Sequence, residues 1–358
     1  MLDDDPGFSS VIVEKIILDG IDWVKFVTLC SNHLIMPSIY LKFKSHDLLK
    51  HLPEEISVHL KYIYDLNLSR NNQIVEQLRE ITAVLNRNSI YPIFLKGSGN
   101  MLDHLYADKG ERIIGDIDFL VSKHDYLLTA KLLEEEGYSY VSPFYGEVED
   151  LKHYPRISKP GYAAVLEIHQ LPVTEKFQAW FNSDMIEKDK KSVKSLPGSY
   201  VPSDNNNIIL NFIHCQLDHE GHLYGIVSFR DLYDLYLLSK RTPLTVTINN
   251  IKARKKAVAY FVLAAKAFGL NEKFFPETNF SAWLLAKKHD LKHNSVFFYY
   301  SYRSIVYLTN RILIGIPRQI IQSFYSKEVR KSVIDRLSNR NWYRENFHSY
   351  ITFFKRYK

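Results

Sequence analysis

Cysteine is nearly missing from this chain. Cys30 and Cys215 are the only two in 358 residues, too few for a disulfide framework and without the paired spacing of a zinc site, so both are read as buried thiols. Long apolar runs are missing as well. No stretch of about 18 uninterrupted apolar residues offers a membrane span, and the opening Met1-Leu-Asp-Asp-Asp lacks the basic, apolar, small-residue order of a signal peptide. The expected location is cytoplasmic. Internal repeats and low-complexity stretches are also absent. What remains is ordinary globular composition, 46% hydrophobic, in a chain long enough for two or three packed units.

The net charge of +6 is mild but uneven, because basic residues accumulate from Arg303 onward, Arg311, Arg318, Arg330 and Lys331 among them. Tyrosines 299, 300, 302 and 307 lie close by. Such a segment suits contact with nucleic acid or nucleotide phosphates. Basic residues at helical intervals more commonly make a solvated face, and tyrosines more commonly pack helices.

Hydrophobic periodicity divides the chain into three parts. Residues 1–88 repeat apolar positions every three to four residues, as in Ile74, Leu78, Ile81 and Leu85, which predicts an N-terminal helical segment broken at Pro37 and Pro53. Residues 89–202 alternate short apolar runs with helical spacing. The runs at Ile90–Leu95, Asp116–Val121, Tyr138–Val141 and Ala163–His169 predict four strands at most and an α/β core. Residues 203–358 return to helical spacing and predict a C-terminal helical segment. The fold class expected is α+β, a small mixed sheet flanked by helices on both sides.

Two motifs carry chemistry. Phe94-Leu-Lys-Gly-Ser-Gly99 ends an apolar run in a glycine turn where a helix can start, and Gly115-Asp-Ile-Asp-Phe-Leu-Val121 follows. Side chains alternate along a strand, so Asp116 and Asp118 share one face while Ile117 and Phe119 share the other. Two convergent carboxylates repel unless a cation lies between them, and a hard divalent ion bound to phosphate oxygens meets that need. A two-metal phosphoryl or nucleotidyl transfer site needs a third carboxylate. Glu167 in Val165-Leu-Glu-Ile-His169 has the alternation to supply it. Gly97 would let a phosphate approach the backbone, Ser98 would add a hydroxyl, and Lys96 and Arg112 would neutralise phosphate charge.

The order of these pieces resembles the DNA polymerase β-type nucleotidyltransferase superfamily. More narrowly, Leu95-Lys-Gly97, Arg112 followed by Asp116-Ile-Asp118, and Glu167-Ile-His169 resemble its uncharacterised nucleotidyltransferase family. His214 and Phe229-Arg-Asp-Leu232 resemble that family's closing helices. The stretch between Ser98 and Asp116 is longer than in the superfamily's better-studied members. The resemblance implies Asp116, Asp118 and Glu167 as metal-binding and catalytic residues, with Lys96, Gly97, Ser98 and Arg112 as the nucleotide-binding set. It further implies Mg²⁺ or Mn²⁺ as cofactor and an NTP as substrate. The expected reaction moves an NMP to an acceptor hydroxyl of unidentified class, with Glu167 assisting deprotonation. An inactive nucleotide-binding protein, or an RNA-binding protein of the same fold, is the alternative.

A second cluster, His214-Cys-Gln-Leu-Asp-His-Glu-Gly-His222, invites a zinc reading. It lacks a His-Glu-x-x-His order and Gly221 interrupts it, so His214 and Arg230-Asp231 are expected to line the acceptor side of a cleft or to lock two helices together.

Overall fold

The computed structural model describes residues 7–18, 20–144, 146–268 and 280–325, with 330–331, 333–334 and 338. The basic residues Lys327, Arg336, Arg340, Arg344, Lys355, Arg356 and Lys358 lie outside the described residues.

Among the described residues four α-helices precede the sheet: α1 (Gly7–Ile17), α2 (Trp23–Asn32), α3 (Met36–Ser45) and α4 (Glu54–Arg87). Pro37 sits in the first turn of α3 and Pro53 caps α4, where a missing N–H costs nothing. With 34 residues, α4 is a rod of roughly 50 Å. Its predicted apolar stripe, Ile74, Leu78, Ile81 and Leu85, is buried. A row of buried amides continues it, namely Asn67, Asn71 and Gln77. Each anchors backbone in the next part of the chain. Asn67 and Asn71 both donate to Arg112 O, at 3.1 and 2.8 Å. Gln77 donates to Ala164 O and accepts from Ala164 N, at 2.9 and 3.1 Å, replacing a missing sheet neighbour with one side-chain amide.

The core alternates β1 (Ile93–Phe94), α5 (Lys96–Leu102), β2 (Asp116–Leu120), α6 (Tyr126–Glu135), β3 (Ser139–Tyr140), β4 (Ile157–Ser158) and β5 (Val165–His169). Helix α7 (Ser183–Lys188) and strands β6 (Lys191–Ser192) and β7 (Tyr200–Val201) complete it. The sheet is mixed, in the order β3-β4-β5-β2-β1-β7-β6, with β2 parallel to β5 and antiparallel to β1. Seven strands correct the expected maximum of four. Strands of two residues, such as β4, β6 and β7, are too short to show alternation. Ile117, Phe119, Leu166 and Ile168 have no solvent exposure, so one face of the central pair β2–β5 is core and the other carries the acids.

Helix α5 lies hard against β1. A methyl group on Gly99 would fall 2.3 Å from Phe94 O, whereas one on Gly97 would meet nothing nearer than 3.4 Å. Gly99→Ala is therefore expected to push α5 off the sheet and to cost about 1–3 kcal/mol in denaturant unfolding, while Gly97→Ala leaves the midpoint close to the parent's. Equal midpoints for the two variants would contradict this packing.

Helices follow β7: α8 (Asp204–Phe212), a π-helical run Ile213–Asp218, α9 (Gly221–Tyr224), α10 (Phe229–Ser239), α11 (Leu244–Thr247), α12 (Arg254–Phe268), α13 (Phe280–Asn294), α14 (Val296–Asn310), a second π-helical run Arg311–Gly315 and α15 (Ile316–Tyr325). The chain forms two compact units, one of residues 1–219 with 227–282 and one of residues 220–226 with 283–358. The first holds the sheet, and α8 packs on both α5 and α10. In the second, Tyr299 is buried and Tyr302 Oη donates to Leu223 O at 2.7 Å, so these two tyrosines pack rather than project. None of the helices among the described residues is long and apolar enough to cross a membrane. Cys30 is buried as expected, with burial pushing its thiol up to about 12. Cys215 departs from expectation, being only partly covered and lining a cleft.

Candidate active site

Parallel pairing sets the acids beside one another. The register places Asp118 opposite Glu167 and Leu120 opposite His169, so side chains two residues apart on each strand meet on one face, at roughly the 4.8 Å strand spacing. His169 Nε2 lies 2.9 Å from Asp118 Oδ1 and 3.5 Å from Glu167 Oε2. Its other ring nitrogen is buried and has no hydrogen-bond partner among the described residues. Asp116 stands one pleat earlier on β2 and is less covered.

Two cations oppose this charge. Lys96 Nζ pairs with Asp118 Oδ1 and lies 3.9 Å from Glu167 Oε2. Arg156, just before β4, donates from Nε to Glu167 Oε1 at 2.7 Å and approaches Asp116 Oδ2 at 3.4 Å. Lys96 opens α5 with φ of 51°, the left-handed region that a long side chain seldom adopts. Such strain persists only where surroundings hold it. Here the residue before it is fixed on both sides, Leu95 N donating to Asp118 O at 2.9 Å and Leu95 O accepting from Gly99 N at 3.1 Å, and the ammonium is fixed by the carboxylates.

The balance of burial and charge differs from group to group. Burial resists ionisation of Asp118, but Lys96 and then His169 outweigh it and hold the carboxyl below its usual range. Glu167 is likewise buried, and its hydrogen bond with His169 and the Lys96 charge hold it far below the usual range. Asp116 goes the other way, raised by burial and by the Asp118 charge. Burial works against the Lys96 ammonium too, and Asp118 more than restores it.

The site opens into a cleft of about 820 Å³, within the range of small-ligand pockets. Lys96, Gly97, Asp116, Asp118 and Glu167 line it together with Asn207, Asn211, His214, Arg230 and Asp231 from α8, the π-helical run and α10. Asn207 and Asn211 are one turn apart on α8, and the wider π-helical turn that follows carries His214 to the cleft, a deformation that recurs at functional sites. Burial, then the Lys96 charge, pushes His214 well below its usual range, which makes it a neutral imidazole. Asp218 accepts from Lys152 Nζ at 3.1 Å and Thr174 Oγ1 at 2.7 Å. His214 and His219 rings touch edge to face at 4.4 Å, and no metal-ligand group forms around them among the described residues.

Two of the residues singled out in the sequence have unexpected surroundings. Ser98 is fully buried, and its hydroxyl donates to Leu95 O at 3.1 Å. Arg112 borders the cleft, but its guanidinium is engaged by Asp234, with Nη2 to Oδ2 at 2.8 Å and Nε to both oxygens at 3.0 Å. Tyr106 Oη donates to the same carboxylate at 2.8 Å. The sequence reading gave no role to Arg156, His169, Lys152 or Asp234. His169 alone had a signal, its position two residues after Glu167 on the same strand face.

The donors present suit a divalent ion. One ligand atom each from Asp118, Glu167 and His169 lie within 4.8 Å of one another. Two carboxylates suit Mg²⁺ or Mn²⁺ and the imidazole favours the transition metal, while Asp116 shares their strand face but lies outside this group of three. The ring nitrogen turned toward both carboxylates is Nε2, at 2.9 Å from Asp118 and 3.5 Å from Glu167, and it is the one placed to join them as a ligand.

Comparison with the curated proteins and with the solved structures returns no match. A family model described as uncharacterised nucleotidyltransferase matches residues 19–276, a span that takes in the long helix α4, all seven strands and the cleft-lining helices α8 and α10. Lys96, Gly97, Asp116, Asp118 and Glu167, which meet in the cleft, all lie within it together with the motifs that carry them, and the chain belongs to this uncharacterised nucleotidyltransferase family.

Proposed function

We propose that the protein transfers a nucleoside monophosphate from an NTP to an acceptor hydroxyl, with Asp116, Asp118 and Glu167 as the charged centre. The observation that carries this reading is the in-register pairing of Asp118 with Glu167 across parallel strands, beside Asp116 and at the edge of a cleft of nucleotide size. Asp118 and Glu167, with Asp116 and His169, would hold Mg²⁺ or Mn²⁺. When bound, such an ion would neutralise charge on the phosphates and acidify the acceptor hydroxyl.

The chain's own groups have distinct tasks. Lys96 and His169 keep Asp118 ionised, and His169 and Lys96, with Arg156, keep Glu167 so, and these two act as fixed negative charges. Asp116, raised by burial and by the Asp118 charge, is the least firmly ionised of the three. Gly97 brings backbone to the cleft wall without a side chain, and Lys96, whose side chain is partly exposed and lines the cleft, can turn from carboxylate to triphosphate. Helices α8 and α10 form the acceptor side, where Asn207, Asn211, His214, Arg230 and Asp231 offer both donors and acceptors.

One feature favours the inactive nucleotide-binding reading: Lys96 already occupies the carboxylates that a metal would use. Labelled nucleotides separate the two. With each NTP, Mg²⁺ or Mn²⁺ and cell extract, label at the α-phosphate is expected in an acceptor and label at the γ-phosphate only in pyrophosphate. Nucleotide binding with no release of pyrophosphate would establish the inactive reading, and γ-label in the acceptor would replace nucleotidyl transfer by phosphoryl transfer.

A further inference from the structure

The second unit carries a surface that the nucleotidyl reading leaves unused. Helix α14, the π-helical run and α15 follow one another without interruption from Val296 to Tyr325. Tyr299 and Tyr302 face inward on α14, the latter bound to Leu223 O. The other side of the segment is apolar and exposed. Phe297, Ile305, Leu313, Ile320, Ile321 and Phe324 are all solvent-facing, Leu313 at 68% and Phe324 at 72%. On α15 the positions 316, 320, 321 and 324 fall within one broad stripe at helical spacing, and Arg318, Gln319 and Gln322 fall on the remainder. A contiguous apolar patch of this kind calls for an occupant.

The charge pattern selects the occupant. Between Asp290 and Glu328 the sequence has no acidic residue, while Arg303, Arg311, Arg318 and Lys327 are spread along it. A second copy of the same face would bring like charges together. Nucleic acid would use the arginines but would have no use for Ile305, Leu313, Ile320 and Ile321, which offer neither hydrogen bonds nor stacking rings. A bilayer with anionic headgroups uses both: aliphatic and aromatic side chains enter the acyl boundary, and arginines at the rim reach the phosphates. No described helix is long and apolar enough to cross a membrane, and Arg303, Arg311 and Arg318 recur along the segment, which suits a position in the interface plane.

We propose that residues 296–325 form an amphipathic docking surface for an anionic phospholipid bilayer. The test is co-sedimentation of the full-length protein with vesicles of phosphatidylcholine alone or with phosphatidylglycerol added, at low and high salt. Binding is expected to the anionic vesicles, to weaken with salt, and to be slight on the neutral ones. The triple variant Ile320→Asp, Ile321→Asp, Phe324→Asp, altered only at exposed positions, should bind at least tenfold more weakly. Arg318→Gln should bind about fivefold more weakly, in line with about fivefold per basic residue near such a surface. Circular dichroism confirms that each variant is folded. Three results overturn the proposal: no binding of the parent to anionic vesicles; a parent dimer that the triple variant converts to monomer; or binding to RNA that depends on Arg318 but not on the three apolar residues, with vesicles ignored.

Discussion

Asp118→Asn is expected to abolish nucleotidyl transfer while leaving a folded protein. Asp118 is the point where the site's interactions converge: its Oδ1 receives both Lys96 and His169, and its strand neighbour is Glu167. Loss of a group that orients a ligand from behind costs about 10–100-fold, so loss of the ligand itself should exceed that range. The amide keeps the shape of the carboxylate, and Lys96 keeps Glu167 nearby, which limits damage to the fold. The variant should also differ in acid. Asp118 is held below its ordinary value, so its charge stabilises the folded state at neutral pH, and that contribution is lost as pH falls below the unfolded value of about 4. The parent and Asp118→Asn should therefore converge in stability as acid is added. A variant that retains transfer with Mg²⁺ or Mn²⁺ would remove Asp118 from the mechanism.

The second large effect is on stability. Arg112 and Asp234 form a buried pair that joins the loop before β2 to α10, supported by Tyr106 and, at 3.6 Å, by Asp231. Arg112→Met strands the buried Asp234 carboxylate, while Asp231 keeps Arg230 at 3.3 Å, and should cost about 3–5 kcal/mol. Adding Asp234→Leu removes that stranded charge, so the double variant should be more stable than Arg112→Met alone, with an interaction energy of about 0.5–3 kcal/mol across the cycle. Denaturant midpoints of the four proteins give this number directly. Purely additive losses would mean that the two side chains contribute through packing and not through each other.

How much of this was legible beforehand depended on the length of each element. Asp116, Asp118 and Glu167 could be placed on one face because β2 and β5 each run five residues, enough for alternation to show. The same alternation exposed His169, although nothing in the sequence said that its ring would turn toward Asp118. Arg156 was invisible because β4 spans two residues and has no period. The pairing of Arg112 with Asp234 joins positions far apart in the chain, and helical spacing marks apolar positions without marking an acid that lies among them. In α4 the apolar stripe was plain, but the buried Asn67, Asn71 and Gln77 read as ordinary exposed positions, since polar residues are usually outside.

Those amides, with Arg70, give α4 a further meaning. Arg70 reaches Ile114 O, Gly115 O and Ala163 O, and Gln77 grips Ala164, so one helix holds the entry ends of both acid-bearing strands. It contributes no reacting group, yet it acts as a ruler along which β2 and β5 are aligned. A slip of β5 by one residue would turn Glu167 toward the core and Ile168 toward the cleft. Damage to residues 70–77 should therefore surface as miscalibrated chemistry in a chain that still folds, and defects mapped to that helix would be defects of alignment.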